Sequence, residues 1–184
     1  MLKTVLEADS RFGVVRLDTE NKKMAEVGCC AQIIRHQSSD DGRSNIVTVG
    51  QQRFRILEIT REAPFISALV TWIDDDLVEN QNELNSLASS VLTALKDVVS
   101  LTAKLTDSPR SLPDELPEMP RELSFWIAAH LGGKVTEEQQ YLLEMQNTTN
   151  RLIREYEMLD QTRKQLAART ALKDSLSNAD QTNT

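Results

Sequence analysis

Apolar positions change their spacing once along this chain, near Asp74. Upstream they come in short runs separated by turn residues. Residues 12–17 read as a strand, closed by residues 18–23, which hold no apolar side chain. Residues 31–35 read as a second strand. The polar stretch 38–42 follows, and its Asp41-Gly42 dipeptide is a strong turn signal. Residues 45–49 form a third run. Gly50 then interrupts the pattern, which predicts a bulge or sharp bend before residues 54–59 resume it. Pro64 opens a fifth run over residues 65–73, with Phe65, Leu69 and Ile73 at even spacing. Five strand-like runs so close together predict an antiparallel sheet or partial barrel.

Downstream the period is helical. Leu84, Leu87, Ala88, Val91, Leu92, Leu95, Val98 and Val99 fall at steps of three and four, the stripe of an amphipathic helix. Asn80, with Glu83 three residues on, is placed to cap it. Pro109, Pro113, Pro117 and Pro120 mark a loop. Residues 121–131 read as a short helix, entered at Pro120 and left at Gly132-Gly133. Thr136 and Gln139 have capping-box spacing for a further helix start. Leu142, Met145, Leu152, Tyr156, Leu159 and Leu166 continue a nearly heptad seam, broken by Thr149 and Arg163. That predicts a long intramolecular helix and not a coiled coil. The fold class expected is α+β, an antiparallel β-rich part followed by a helical bundle with a long C-terminal helix. The expected division is residues 1–78 as the β-rich subdomain, 79–174 as the helical subdomain of the same domain, and 175–184 as a polar, disordered tail.

Charge and composition narrow the function. The 184 residues carry a formal charge of −7, and 40% are hydrophobic, as in ordinary globular domains. Residues 1–80 hold 10 basic and 13 acidic side chains, and residues 81–184 hold 11 and 15, so neither half is a nucleic-acid footprint. No apolar run approaches the roughly 18 residues of a membrane helix. The first residues lack the apolar core of a secretory signal, and Glu7 and Asp9 come too early for a transit peptide. The expected setting is soluble and reducing. The two cysteines, Cys29 and Cys30, are adjacent, which excludes a disulfide scaffold and a thiolate-rich zinc site.

Catalytic templates fail on the residues present. No phosphate-cradling G-x-x-x-x-G-K-[ST] and no H-E-x-x-H occur. Gly132-Gly133-Lys134 lacks the upstream glycine of such a loop. His36 and His130 are the only histidines, and His130 lies on an otherwise apolar helix, where a packed role is expected. Asp74-Asp75-Asp76 reads as a solvated acidic turn, since a calcium site needs further oxygens around the ion. Cys29 and Cys30 should point to opposite faces of a strand, one of them into the core. Asn147-Thr148-Thr149 matches a glycosylation sequon without a secretion signal beside it. Arg53 and Arg55 should share one strand face, with Phe54 and Ile56 on the other. A salt-bridged face and a contact patch for an acidic or peptide partner are both open to them. No cofactor, metal or catalytic residue is expected.

Several motifs occur in a recurring order. Residues 26–33 contain Gly28, Ala31 and Ile33 as G-x-x-A-x-I. Asp41-Gly42-Arg43 gives the turn D-G-R. Residues 50–57 give G-x-x-R-F-R-I-L, and residues 64–70 give P-F-x-x-A-x-V. Together with Leu123-Ser124-Phe125-Trp126-Ile127-Ala128, this order resembles the Lon N-terminal, substrate-binding domain over about residues 1–170. The nearest flavour is the stand-alone Lon-domain protein of cyanobacteria and plastids. The resemblance implies a PUA-like pseudo-barrel followed by helices, recognition of protein or peptide partners in quality control, and plastid residence, while the acidic charge speaks against nucleic acid. Family members open with a strand and a proline-bearing loop before a first helix, whereas Met1 here stands at that helix, residues 2–8. A sheet edge left unpaired is then expected. The implied binding surface is such an edge beside an aromatic-lined groove, with Phe54, Phe65 and Trp72 as anchors and Arg53 and Arg55 beside them. The alternative is an adaptor that docks a folded partner through the C-terminal helix.

Overall fold

The computed structural model describes residues 1–131 and 136–181. The chain divides into two compact units, Met1–Asp75 and the residues from Asp76 onward. The first unit contains helix α1 (Leu2–Leu6) and strands β1 (Arg11–Val14), β2 (Leu17–Asp18), β3 (Lys23–Met24), β4 (Val27–Ser38), β5 (Ser44–Arg61) and β6 (Ser67–Ile73). Four strands form an antiparallel sheet in the order β1-β4-β5-β6, and β2 pairs with β3 alone.

The Asp-Gly signal makes the β4–β5 turn. The Ser39 N–H donates to Arg43 O at 2.8 Å, and the Gly42 N–H donates to Ser39 O at 3.1 Å. Gly42 takes φ +81°, a conformation that side chains disfavour. The two runs on either side of Gly50 are one strand. Pairing slips from Cys29↔Arg53 to Ala31↔Gly50, so the glycine marks a bulge and not a strand end. Residues 12–17, by contrast, divide: β1 stops at Val14, and Leu17 pairs with Met24 across the polar stretch. Asp18 closes that small hairpin by accepting from the Glu20 and Asn21 N–H groups at 3.0 and 3.1 Å.

The sheet unit buries Val27, Cys30, Ala31, Ile33, Phe54 and Ile73. The Phe54 ring lies over two glycines. A Cβ added at Gly13 would stand 2.9 Å from Phe54 Cζ, and one at Gly28 would stand 2.8 Å from it. The glycine of the G-x-x-A-x-I motif is thus a seat for an aromatic ring.

The second unit contains α2 (Gln81–Thr106), α3 (Pro120–His130), α4 (Thr136–Glu144) and α5 (Thr148–Gln181). Asn80 caps α2, its side chain accepting from the Glu83 N–H at 3.2 Å. At the other end Asp107 takes φ 47°, and Lys173 of α5 donates to Lys104 O at 3.2 Å and to Asp107 Oδ2 at 2.7 Å. An ammonium there meets the carbonyls that a helix C-terminus leaves unsatisfied. The core joins Leu84, Ala88, Val91, Ala94 and Leu95 of α2 to Leu123 and Ile127 of α3 and to Leu152 and Leu159 of α5.

The heptad-like seam is shared between two helices. It breaks before α5, where the Asn147 side chain accepts from the Asn150 N–H at 2.9 Å and caps the new helix. Asn147 of the sequon is therefore a helix cap. Helix α5 runs on to Gln181, past Ser175, where the sequence pattern turns polar. Residues 182–184 and the Gly132-Gly133-Lys134 stretch lie outside the described residues.

Two charged residues of α5 are fully buried. Arg151 donates to Ser124 Oγ at 2.8 Å, Met145 O at 2.8 Å and Thr148 Oγ1 at 3.3 Å, and its guanidinium lies 3.9 Å from the Phe125 ring centroid. One turn on, Glu155 is 0% exposed, with no hydrogen-bond partner for either carboxyl oxygen. Burial pushes its carboxyl up to about 8, only partly offset by the Arg151 charge.

Candidate functional site

Strands β5 and β6 carry Arg53, Phe54, Arg55 and Trp72, while Phe65 lies in the turn between them. Their register sets Arg53 opposite Ile73, Phe54 opposite Trp72, and Arg55 opposite Thr71. Directly opposed residues share a face, so Phe54 and Trp72 meet. Their ring centroids are 6.4 Å apart, with the planes at 83°. Phe54 is buried, while Trp72 is 52% exposed. Phe54 thus packs in the core and supports Trp72 from behind. It presents no surface to a ligand, contrary to its expected place as an anchor.

Arg53 is also withdrawn. Its side chain is 4% exposed and pairs with Asp75, itself 6% exposed. The expected solvated acidic turn is therefore partly an internal counter-ion for β5. Beside this pair, Gln52 Nε2 donates to Asp74 Oδ2 at 3.1 Å. Arg55 stays half-exposed, 3.6 Å from Glu26 Oε2. Phe65 is half-buried beneath the Arg61 guanidinium, which sits 4.6 Å from its ring centroid. Phe65 lies in the turn before β6 and Trp72 near the far end of that strand, with about 17 Å of extended chain from Ser67 to Trp72 alone. They do not form one compact pocket.

The exposed surface contains residues that the sequence reading passes over. Leu57 is 58% exposed, Ile66 57% and Leu69 55%. Leu57 is the extra residue where pairing slips between Ile56 and Glu58. A bulge there re-aims the side chains beyond it, which simple alternation cannot reveal. The projecting part of the β4–β5 hairpin adds exposed Ile34, Val47 and Val49. The unit therefore offers scattered apolar surface on a rigid sheet, without a cluster of chemistry. Burial raises both the Cys29 and the Cys30 thiol, which opposes a reactive thiolate. His130 stacks on Trp126 at 4.0 Å between ring centroids, and its Nδ1 donates to Trp126 O at 2.7 Å, a packed helix histidine. Among the described residues no group of three or more His, Cys, Asp or Glu could hold a metal ion. No described helix is long and apolar enough to cross a membrane.

An antiparallel sheet followed by helices, the last one long, is the architecture of Lon N-terminal domains. The Lon N-terminal domain protein of Xanthomonas campestris matches with a TM-score of 0.57 at 19% identity, over 83% of this chain and 78% of that one. The N-terminal domain of Lon protease from the Mycobacterium avium complex matches with a TM-score of 0.60 at 17% identity, over 86% and 82%. Residues 1–161 match the ATP-dependent protease La (LON) substrate-binding domain, and the chain belongs to that family. It is 25% identical over 148 residues to Lon protease of Anaeromyxobacter dehalogenans, and 29% identical over 126 residues to Lon protease of Syntrophus aciditrophicus. Those alignments take in 77% and 68% of this chain but only 17% and 16% of the relatives. The part shared is the substrate-binding region and not the protease domain.

Proposed function

We propose that this chain is a non-catalytic module that binds protein substrates, taking unfolded or exposed apolar polypeptide in protein quality control. The observation that carries this reading is Trp72, half-exposed on the outermost strand and held by Phe54 behind it. Large aromatic side chains supply much of the energy of protein contacts, provided they are rigid before binding. Exposed Ile66 before β6 and Leu57 on β5 add apolar surface to this strand pair, and Leu69 does so on the face of β6 opposite Trp72. Half-exposed Arg55 gives the same strand pair a polar contact. Plastid residence belongs to the same proposal and rests on the resemblance to stand-alone Lon-domain proteins alone.

The adaptor reading has less support. Leu152 and Leu159, the middle of the seam it would use, are buried in the helical unit's own core. That leaves Ile153, Tyr156 and Leu172 exposed on α5 for a partner.

Trp72 and Trp126 are the two tryptophans. In a Trp126→Phe background, Trp72 fluorescence should shift to the blue on titration with a reduced, unfolded polypeptide, without ATP. Trp72→Ala should weaken binding roughly tenfold, an aromatic anchor's share of about 1–2 kcal/mol. Unchanged affinity in Trp72→Ala would move the binding surface away from β6. No binding by the parent chain would remove the proposal.

A further inference from the structure

The helical unit buries four polar side chains together. Ser124 of α3 and Thr148, Arg151 and Glu155 of α5 are each at most 3% exposed. The Arg151 guanidinium is their hub. It bonds Ser124 Oγ on α3, Met145 O just beyond α4, and Thr148 Oγ1 at the start of α5. At the next carbonyl, Gln146 O accepts from the Asp76 N–H at 2.6 Å, where the chain enters this unit. Arg151 thus holds the α4–α5 junction from inside.

Glu155 is the member left out. Residues four apart are neighbours on one helix face, yet neither Glu155 carboxyl oxygen has a hydrogen-bond partner. The faces that α2, α3 and α4 bury hold no titratable side chain among the described residues. Asp97 of α2 turns to Arg163, and Glu138 of α4 turns to Arg154. Arg121, Glu122 and His130 of α3 are exposed. Among the described residues, Arg151 is the charge that acts on Glu155. A neutral carboxyl is tolerated in such a place, but an ionised one needs a partner.

We propose that Arg151 and Glu155 form a proton-controlled latch on the α4–α5 junction. With Glu155 protonated, Arg151 stays on Ser124, Met145 and Thr148, and the junction is closed. When the carboxyl gives its proton to solvent, the guanidinium turns to the carboxylate. It drops those three partners and leaves the Phe125 ring, and the junction loosens. Both arrangements occupy the guanidinium fork, so a single proton selects between them. The closed form is the one that binds the proton, so acid closes the latch and alkali opens it. Burial pushes the Glu155 carboxyl up to about 8, which sets the latch closed at neutral pH and open in mild alkali.

Carbon-detected NMR of the intact chain, titrated from about pH 6 to about pH 9.5, tests this. Glu155 Cδ reports the proton, Arg151 Nε reports the partner of the guanidinium, and the Met145 carbonyl carbon reports the junction. All three signals should change with one midpoint. Glu155→Gln should hold the Arg151 and Met145 signals constant across the range. Ser124→Ala with Thr148→Val removes two partners of the closed form and frees the guanidinium for Glu155. The shared midpoint should then fall by about one pH unit, the equivalent of a lost hydrogen bond to a charged group. Circular dichroism checks that both variants fold, and the coupled titration of the parent chain is decisive without them. A Glu155 carboxyl that titrates in the ordinary glutamate range overturns the proposal. So does an Arg151 signal indifferent to the Glu155 titration, or an unmoved midpoint in the folded double variant.

Discussion

Replacing Gly28 with alanine is expected to break the sheet unit. The new Cβ would stand 2.5 Å from Val14 O, 2.5 Å from Val15 Cγ1 and 2.8 Å from Phe54 Cζ. Valine can change rotamer, but the other two neighbours have little freedom. Val14 is the last residue of β1 and pairs with Cys29, so its carbonyl moves only if that pairing moves. The Phe54 ring is already seated against Gly13. Overpacking of a core typically costs about 1–3 kcal/mol, and contact with fixed backbone belongs at or above the top of that range. Denaturant unfolding followed through Trp72, which touches Phe54, should show the loss as a lowered midpoint. Gly50→Ala is the control. Its Cβ would meet Cys29 Sγ at 3.6 Å, an ordinary contact, and its stability should change by about 1 kcal/mol or less. Equal effects at the two glycines would mean that the seat for Phe54 is not what Gly28 provides.

The second large effect concerns pH. Glu155 keeps its proton in the folded chain up to about 8, because burial disfavours the carboxylate. In the unfolded chain it loses that proton near the ordinary glutamate value of about 4.3. Between those values the native state binds more protons than the unfolded state. Stability contributed by this residue is therefore fully present at acid pH, falls as pH rises through that window, and levels off above about 8. Glu155→Gln removes the slope. The variant should match the parent near pH 4 and exceed it increasingly toward pH 8, by on the order of a few kcal/mol at the top. Melting both proteins across that range reads the difference. Parallel pH profiles would mean that Glu155 is solvated or paired in the native state.

Much of the helical unit was legible in the sequence. The stripe through Leu84, Ala88, Val91 and Leu95 is the buried face of α2, and Asn80 is its cap. Helix periodicity survives tertiary packing because one face must meet the core. What the sequence concealed were slips and long-range pairs. The polar stretch 18–23 has no apolar signal because its hairpin is closed by Asp18. Leu142 and Leu152 fit one seam although α4 and α5 are separate helices, since a break at Asn147 leaves the apolar spacing readable as continuous. Arg53 looked like a surface cation because Asp75, 22 positions away, is invisible to local pattern. The apolar runs of the sequence locate β5 and β6, and the bulges decide which side chains those strands expose. Glu155 sits among Arg154, Tyr156 and Glu157, and nothing in that polar context marks it as buried.

The clasp between Lys173 and the end of α2 joins residues 69 positions apart. Synthesis runs from the N-terminus, so the order in which partners appear is fixed. The sheet unit pairs β4 with β5 and β5 with β6 as successive hairpins, and each strand finds its neighbour soon after it emerges. Helix α2 has to wait. Leu123 and Ile127 can cover only part of its stripe, and Leu84, Val91 and Leu95 lack the rest of their core until Leu152 and Leu159 have been made. While the nascent chain waits, the sheet can be complete while the apolar stripe of α2 remains open to chaperones, to proteases and to neighbouring ribosomes' products.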